Sequence, residues 1–472
     1  MTAIDQGILQ ERTGLLGRFL SSALGDTRRR SDRLIPDEVQ LEADMRAVPG
    51  FHHASSEQET DDAQPRPLSM SAMTAPIRPI SLRRDSIYAA FNTAMPVTDR
   101  HGLAGRNSEL EKLVEAIVVQ RKHAVVFGTR GSGKTSLARV FGDLADEAGC
   151  VALYASANGD SDFDALFRPF LPELPMSAAG RERLKTMLAD RLDVARLAAL
   201  LVEEVRERSI LIIDEYDRVE SDGAKQDVAA LLKLLTDIHS PVQVVLVGIA
   251  SDIDGLIAAH PSLRRHLVPQ RVSPIPRPQL ERLLASCASN ARLTIDPDAL
   301  EALAAAAMGS PYHARLFGMH AALACEGAGR DHVTLADAEQ GLADALTGWA
   351  EMSEPTHALF RRILWEAGAS RRMIGLAAVV AAQMLAISSD RLARLGHEVL
   401  GGGSINEGQA RDAMARLQPA LVTTPNGELW MFEDTLAPQF LLLMAKQQVT
   451  AAPPEQSPAE EMRALLRGVD GL

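Results

Sequence analysis

Short, almost uniformly apolar runs alternate with helical patterns through the middle of the chain. The four runs lie at residues 124–127, 151–154, 210–213 and 242–249. Runs of this length with few polar interruptions are typical of strands that are buried on both faces of a parallel sheet. Because apolar residues recur at helical spacing between the runs, as in residues 107–120, the pattern predicts a doubly wound α/β domain.

The pattern changes after Pro274, where strand-like runs give way to helical spacing alone. Consecutive helices without strands between them predict a small all-helical unit. The predicted helices span residues 278–290, 297–307, 311–325 and 335–347.

A third unit is predicted between residues 353 and 447. Its helices include one at 406–417, and two short strand-like segments follow at 420–424 and 428–432. Pro425-Asn426-Gly427 lies between these segments, and Asn-Gly between apolar runs is a strong hairpin signal. Helices followed by a two-stranded wing predict a winged-helix-like domain.

Both ends of the chain lack the pattern of a packed core. The N-terminal residues carry charged clusters and Pro-rich pieces, which favour a mostly disordered tail. Apolar residues at roughly helical spacing in residues 4–20 indicate one short amphipathic helix, which either docks on its own protein or binds a partner. The residues after 450 are rich in Pro and Ala and predict a second tail.

Composition narrows the class of protein further. At 472 residues the chain is long enough for two or three folded units, and a hydrophobic fraction of 46% supports a sizeable core. A net charge of −13 argues against a general polyanion binder, although a local basic surface stays open. Three widely spaced cysteines fit a reducing compartment. Without a signal-peptide pattern or a long uncharged apolar run, the expectation is a cytoplasmic protein that does not enter a membrane.

The strongest chemical signal follows the first predicted strand. Residues 128–135 match the phosphate-loop pattern G-x-x-x-x-G-K-[ST] at every fixed position, and the flanking strand and helix argue against a chance Gly-rich turn. Backbone N–H groups and the positive end of the next helix are expected around the phosphates of ATP. Lys134 is expected on the β- and γ-phosphates, and the Thr135 hydroxyl on Mg²⁺. The predicted nucleotide-binding loop consists of Gly128, Thr129, Arg130, Gly131, Ser132, Gly133, Lys134, Thr135 and Ser136.

A second motif ends the apolar run at 210–213. Asp214 and Glu215 follow it directly, at the end of the strand where open parallel sheets bind ligands. Asp214 is expected to hold Mg²⁺ through its water shell, and Glu215 to orient or deprotonate the attacking water. The alternative is a solvated strand end, which the upstream phosphate loop disfavours.

Four strings together resemble one known group of proteins. They are residues 103–106 (Leu-Ala-Gly-Arg), the phosphate loop, residues 213–219 and residues 246–251. In these four strings the chain resembles AAA+ ATPases of the initiator clade, which is the origin-recognition-complex and replication-licensing type. The resemblance is greatest to their bacterial relatives. The resemblance covers roughly residues 100–347 and implies ATP hydrolysis by subunits that assemble side by side.

The resemblance implies three further site residues, and the sequence pattern divides the chain into domains. Ser251 lies at the sensor-one position, where the family usually has Asn. Arg265 aligns with the arginine finger that reaches a neighbouring subunit's ATP, and Arg315 with the sensor-two arginine of the helical lid. A solvated arginine pair and a helix-surface ion pair are the alternatives for the two arginines. The domains are a tail at 1–86, the AAA+ nucleotide-binding domain at 87–274, the helical lid at 275–350, the winged-helix-like domain at 351–450 and a tail at 451–472.

The partner of the third unit stays open between DNA and protein. Its candidate recognition helix carries Arg411 and Arg416, but also Glu407 and Asp412, and the wing contributes Glu428. A groove binder needs several cations on phosphates, and this helix has few. Six other arginines could contact phosphates instead: Arg361, Arg362, Arg371, Arg372, Arg391 and Arg394.

Two functions of different classes fit these patterns. The first is an ATPase with bound ATP and Mg²⁺ that couples its nucleotide state to homo-oligomers or an AAA+ partner subunit, and to DNA or a partner protein. The second is a nucleotide-dependent scaffold or signalling switch with little turnover, which acts on a protein effector through the N-terminal tail or the winged helix. Replication, mobile-element transfer and phage defence are all compatible with the sequence.

Overall fold

The computed structural model describes most of the chain between residues 82 and 449. The N-terminal residues before 82, the predicted Ser251 and Arg265, the turn of the predicted wing and the C-terminal tail lie outside the described residues. The described ranges are 82–95, 103, 105–250, 266–367, 371–384, 386–400, 406–423 and 429–449.

A five-stranded parallel sheet forms the centre of the first folded unit. Its strands are β1 (His123–Gly128), β2 (Val151–Ser156), β3 (Ser209–Asp214), β4 (Val242–Ile249) and β5 (Leu267–Arg271). Their order across the sheet is β2-β3-β4-β1-β5. The four predicted strands are confirmed. The fifth was not predicted, because Pro269 interrupts it and only an edge strand tolerates a proline there.

Alternate residues of the strands face two separate apolar cores. Val125 and Phe127 of β1 belong to one core, whereas Ala124 and Val126 belong to the other. Burial on both faces explains why nearly every position in these strands is apolar. The helices from the start of the described chain to β4 are α1 (Leu82–Ala90), α2 (Asn107–Val114, continued by a π-helical turn at Glu115–Val119), α3 (Lys134–Glu147), α4 (Phe163–Phe167), α5 (Ala178–Met187), α6 (Val194–Glu204) and α7 (Asp222–Asp237).

The helical unit after the sheet contains the four predicted helices. They are α8 (Arg277–Asn290), α9 (Pro297–Ala307), α10 (Pro311–Gly327) and α11 (Leu335–Met352). Short strands β6 (Thr294–Ile295) and β7 (His332–Val333) pair between them. Helix α1 packs against α8 and α10, and its buried Ile87 and the adjacent Phe91 enter the core of this unit. The segment before the sheet therefore packs on the helical unit that follows the sheet.

The C-terminal unit shares that core. It contains α12 (Glu354–Glu366), α13 (Arg371–Met384), α14 (Ser389–Leu400), α15 (Glu407–Arg416), β8 (Leu421–Thr423), β9 (Trp430–Phe432) and α16 (Ala437–Val449). The strands of the predicted hairpin pair antiparallel, and Ile387, before α14, bridges to Trp430 of β9.

One aromatic stack joins the two helical parts. The Phe440 ring of α16 lies 4.7 Å from the Trp349 ring of α11, with the ring planes 7° apart. Phe317 of α10 meets Phe440 edge-on, with ring centres 6.0 Å apart. We call the helical unit and the C-terminal unit together, residues 275–449, the lid–C-terminal body. Within the described ranges, no helix is both long and apolar enough to cross a membrane.

Candidate functional site

One cavity of about 650 Å³ opens at the carboxyl ends of β1 and β3. Its walls are the loop after β1, the start of α3, the ends of β2, β3 and β4, and the start of α10. Residues 92–95, which follow α1, complete the rim. Open parallel sheets bind ligands outside the carboxyl ends of their strands, so the cavity lies where a ligand is expected.

The loop between β1 and α3 has the backbone that its glycines predict. Gly133, directly before α3, has a φ of 91°, in the left-handed region that other residues rarely adopt. Gly128 is needed for another reason, because a Cβ there would lie 2.5 Å from the carbonyl oxygen of Val272. The first residues of α3 line the cavity, and the positive end of a helix favours a phosphate at that place.

Lys134 lies at the start of α3 with 8% of its surface exposed. Its ammonium donates a 2.8 Å hydrogen bond to the carbonyl oxygen of Thr129. Burial lowers the pKa of Lys134 to about 8, although the nearby carboxylates of Asp217 and Asp214 act in the opposite direction. An anion bound in the cavity would stabilise this buried ammonium, because the attraction between the two charges offsets the desolvation of the ammonium.

Two carboxylates in different surroundings face the cavity. Asp214 is 4% exposed, and its Oδ1 accepts a 2.8 Å hydrogen bond from the backbone N–H of Glu215. Its Oδ2 accepts a hydrogen bond from the hydroxyl of Tyr154. Glu215 has a left-handed backbone with φ 56°, and its carboxylate lies 3.3 Å from the Arg218 guanidinium. One carboxylate is therefore fixed and the other is partly open to water.

Three side chains of the site were missed by the sequence analysis. Burial, followed by the hydrogen bond to Asp214, raises the pKa of Tyr154. The Arg139 guanidinium carbon lies 4.3 Å from the centre of the Tyr154 ring. Asp217 accepts a 2.8 Å hydrogen bond from the last backbone N–H of β4. Only strand register points to Tyr154, because Ser156 pairs with Asp214 and side chains two residues apart share a face.

Arg106 is a buried side chain that donates a hydrogen bond to the backbone of the phosphate loop. It is 3% exposed, and its Nη2 donates a 2.8 Å hydrogen bond to the carbonyl oxygen of Ser132. Its Nη1 lies 2.7 Å from Glu109. Burial lowers the pKa of Arg106, while Glu109 raises it. Arg106 entered the sequence analysis only as part of a resembling string, because its contact with the loop depends on tertiary structure.

The lid–C-terminal body touches the phosphate loop directly. The Ser310 hydroxyl, at the start of α10, donates a 3.3 Å hydrogen bond to the carbonyl oxygen of Gly131. The same hydroxyl lies 2.9 Å from Nδ1 of His313, which is fully buried. A Cβ on Gly131 would lie 3.3 Å from a methyl carbon of Leu436, which precedes α16. The loop is thus packed against both the helical unit and the C-terminal unit.

Most of the predicted site residues come together. Arg315 of α10 lines the same cavity as the strand-end carboxylates, while Gly128 and Thr129 begin the loop that encloses it. Ser251 and Arg265 lie outside the described residues. The predicted residues that line the cavity are Arg130, Gly131, Ser132, Gly133, Lys134, Thr135, Ser136, Asp214, Glu215 and Arg315.

The oxygen donors at this site suit a hard cation whose coordination shell is completed by a bound ligand. Thr135 and Asp214 line the same cavity and offer oxygen atoms. Among the residues that the structure describes, no cluster of three or more His, Cys, Asp or Glu side chains could hold a metal alone. Mg²⁺ in phosphate sites is commonly bound by one or two protein oxygens, with waters and phosphate oxygens completing its shell, and the residues present fit that arrangement.

The comparison with family models agrees with this geometry. A model described as an AAA domain matches residues 118–257. This chain contains an AAA domain. The match spans the phosphate loop, the Asp214–Glu215 pair and strands β1 to β4. The predicted resemblance to AAA+ proteins and the predicted α/β fold of the nucleotide-binding unit are confirmed.

Matches among solved structures include proteins of Aeropyrum pernix and Thermotoga maritima. One is the Aeropyrum pernix ORC2 protein in ADPNP–ADP complexes, at 16% identity over 77% of this chain and 97% of that one, with a TM-score of 0.45. Another is Thermotoga maritima RuvB, a Holliday junction branch migration motor, at 16% identity over 72% and 96%, with a TM-score of 0.39. The Aeropyrum pernix ORC1 protein in complex with DNA matches at 17% identity over 74% and 94%, with a TM-score of 0.37. No curated protein matches this sequence.

Proposed function

We propose that this chain binds ATP together with Mg²⁺ and hydrolyses it to ADP and phosphate. The observation that carries the proposal is the meeting, around one cavity, of a complete phosphate loop with Lys134 and of the strand-end pair Asp214 and Glu215. The AAA domain at residues 118–257 supports the same chemistry.

Each group has its own role in the proposed reaction. Lys134 and the N–H groups of the loop bind the β- and γ-phosphates and offset their charge. The Thr135 hydroxyl and Asp214, the latter through a water, would hold Mg²⁺, which would neutralise phosphate charge. Glu215 orients the attacking water and accepts its proton. Its partial exposure on the cavity wall leaves room for that water.

We further propose that nucleotide state is coupled to a neighbouring subunit. By its resemblance to the initiator clade, Arg265 reaches the ATP of a second AAA+ subunit, which is either another copy of this chain or a related protein. Arg315 contacts the γ-phosphate of its own subunit, and its place on the cavity wall supports that role. Ser251 acts as a shortened sensor for the same phosphate.

The C-terminal unit is proposed as a winged-helix-like module that meets DNA or a partner protein. On α15, Arg411 forms a 2.7 Å ion pair with Glu407, so the helix in the recognition position presents a largely neutralised surface. On α12, Arg361 and Arg362 are exposed. Arg416 of α15 is exposed as well, so both helices offer arginines to a phosphate backbone.

The alternative function is a nucleotide-dependent switch with little turnover. The position of Leu436 beside Gly131, where an added Cβ would lie 3.3 Å from its methyl carbon, favours this alternative, because a nucleotide entering the phosphate loop meets a loop that lies next to the C-terminal unit. Binding alone could then move that unit and change its affinity for a protein effector.

ATP turnover by the purified full chain, with and without duplex DNA, separates the two functions. For Glu215→Gln we expect turnover to fall by roughly 10²- to 10⁴-fold while ATP binding is retained, because the variant keeps the shape of the side chain but loses the base. Turnover by the variant at the parent's rate would contradict the role of Glu215. Tight ATP binding by the parent with negligible turnover, with or without DNA, would favour the switch.

A further inference from the structure

The Tyr154 hydroxyl contacts the one carboxylate of the site that is almost fully buried. We propose that Tyr154 is a positioning residue for Mg²⁺: its hydroxyl fixes the Asp214 carboxylate, and Arg139 holds its ring in place. The inference rests on the proposed function, since it concerns how the same site binds the ion.

Strand register brings the two side chains together. β2 and β3 are parallel, with Tyr154 opposite Ile212 and Ser156 opposite Asp214. Tyr154 and Ser156 share a face of the sheet because side chains alternate along a strand. The tyrosine therefore starts two residues behind Asp214, and the length of its ring carries the hydroxyl forward to the carboxylate. A shorter side chain at position 154 could not span that offset.

Hydrogen bonds orient both oxygens of Asp214. Oδ1 accepts from the backbone N–H of Glu215 at 2.8 Å, and Oδ2 accepts from Tyr154. Each carboxylate oxygen can accept a second hydrogen bond, so both remain able to bind a water of a metal ion. Because the backbone bond alone leaves the carboxylate able to turn about its side-chain torsions, the tyrosine supplies the second point that sets its plane.

Arg139 packs on the ring of the tyrosine. It lies on α3, the helix that begins with Lys134, and its guanidinium carbon is 4.3 Å from the centre of the Tyr154 ring. A guanidinium over an aromatic face is attracted to it, and the attraction is stronger where water is partly excluded. Arg139, Tyr154 and Asp214 all line the cavity. The phosphate-loop helix and the Asp214 carboxylate are thereby linked through one aromatic ring.

A purely structural role for the tyrosine predicts a different result from a positioning role. If the hydrogen bond only satisfies a buried hydroxyl, its loss lowers the stability of the fold and leaves the dependence of nucleotide binding on Mg²⁺ unchanged. If it positions Asp214, its loss weakens Mg²⁺-dependent binding specifically, because removing a group that orients a metal ligand commonly costs on the order of tenfold in metal affinity.

The test is the binding of the fluorescent analogue mant-ATP by the full chain, titrated with Mg²⁺ and repeated in EDTA. For Tyr154→Phe we expect the half-saturating Mg²⁺ concentration to rise about tenfold, with binding in EDTA within about twofold of the parent. In Arg139→Gln, the half-saturating Mg²⁺ concentration is expected to rise as well, but by a smaller factor. Tyr88→Phe, which removes a phenol hydroxyl from an exposed position on α1, is the matched control and should change neither value.

The outcomes separate this inference from the proposed function. Half-saturating Mg²⁺ in Tyr154→Phe within about twofold of the parent, alongside clear Mg²⁺-dependent binding by the parent, would overturn the positioning role alone. Mant-ATP binding by the parent that did not depend on Mg²⁺ would overturn the proposed function and the inference with it. If Tyr154→Phe fails to fold by circular dichroism, Arg139→Gln decides the matter, and an unchanged Mg²⁺ dependence in it overturns the inference.

Discussion

The nucleotide-binding unit and the C-terminal unit use their charged residues in opposite ways. Around the cavity, Lys134 and Asp214 are buried, and each is held by hydrogen bonds within the site. On the surface of the C-terminal unit, Arg411 and Glu407 pair one helical turn apart and stay exposed. Buried charges are costly unless they serve a ligand or a partner, whereas exposed pairs contribute little. The chemistry of the chain is therefore concentrated in the first region.

The two regions also differ in what holds them together. The nucleotide-binding unit has an apolar core on each face of its sheet, while the lid–C-terminal body has a single continuous core. The same body meets the phosphate loop at Ser310, whose hydroxyl donates to Gly131, and places Leu436 beside that glycine. A change in the conformation of the phosphate loop can therefore be transmitted to the C-terminal unit through neighbouring side chains.

The largest effect that we expect is on the stability of the single core of the lid–C-terminal body. Phe440→Ala removes a ring that is 2% exposed and stacks on Trp349, so we expect a loss of about 3–5 kcal/mol in the free energy of unfolding. All three tryptophans, Trp349, Trp365 and Trp430, lie in the lid–C-terminal body, so tryptophan fluorescence in urea reports on that body. Met352→Ala, at a position that is 81% exposed, is the control and should change stability by less than about 0.5 kcal/mol. Equal losses in the two variants would contradict a core shared through Phe440.

A smaller effect concerns pH, because each region contains a fully buried histidine. Burial lowers the pKa of His123 in β1 to about 4, and that of His313 in α10 to about 3. Both are neutral when folded, whereas an unfolded histidine gains its proton below about pH 6.5. Stability is therefore retained above pH 6.5 and lost as the pH falls, by about 2 kcal/mol per histidine between pH 7 and pH 5.

The tryptophan signal tests the histidine of the lid–C-terminal body. For His313→Gln we expect the loss between pH 7 and pH 5 to shrink by about 2 kcal/mol relative to the parent. His123→Gln is the comparison variant, since its ring bonds the backbone of Leu232 and Val244 within the sheet unit. An unchanged acid loss in His313→Gln would show that this histidine is not held neutral by burial.

The two regions also differ in how far their sequences predict them. The phosphate loop and Asp214–Glu215 are local motifs on predictable strands, so residue order alone places them in one site. Tyr154 and Arg106 contribute through register and tertiary contact. Nothing in the local sequence distinguishes Tyr154 from an ordinary strand residue, and Arg106 stands out only as part of the string at residues 103–106. The same holds for Leu436, which lies beside Gly131 although about 300 positions separate the two residues in the chain.

In the C-terminal unit the sequence predicts elements but not charges. The hairpin follows from its Asn-Gly turn, and its strands pair as expected. Whether an arginine is available to a partner depends on its neighbours in space, and the pairing of Arg411 with Glu407 becomes evident only in the structure. The partner of this unit therefore depends on which charged side chains its surface exposes, and a sequence motif does not identify it.

The most direct test of the central claim is ATP binding measured by calorimetry on the parent and on Lys134→Ala, both with Mg²⁺. We expect binding by the parent and a loss of at least about tenfold in affinity in the variant, because the ammonium makes charge-assisted hydrogen bonds to the phosphates. Equal affinities for the two proteins, or no binding by a folded parent, would contradict the assignment of this cavity as the nucleotide site.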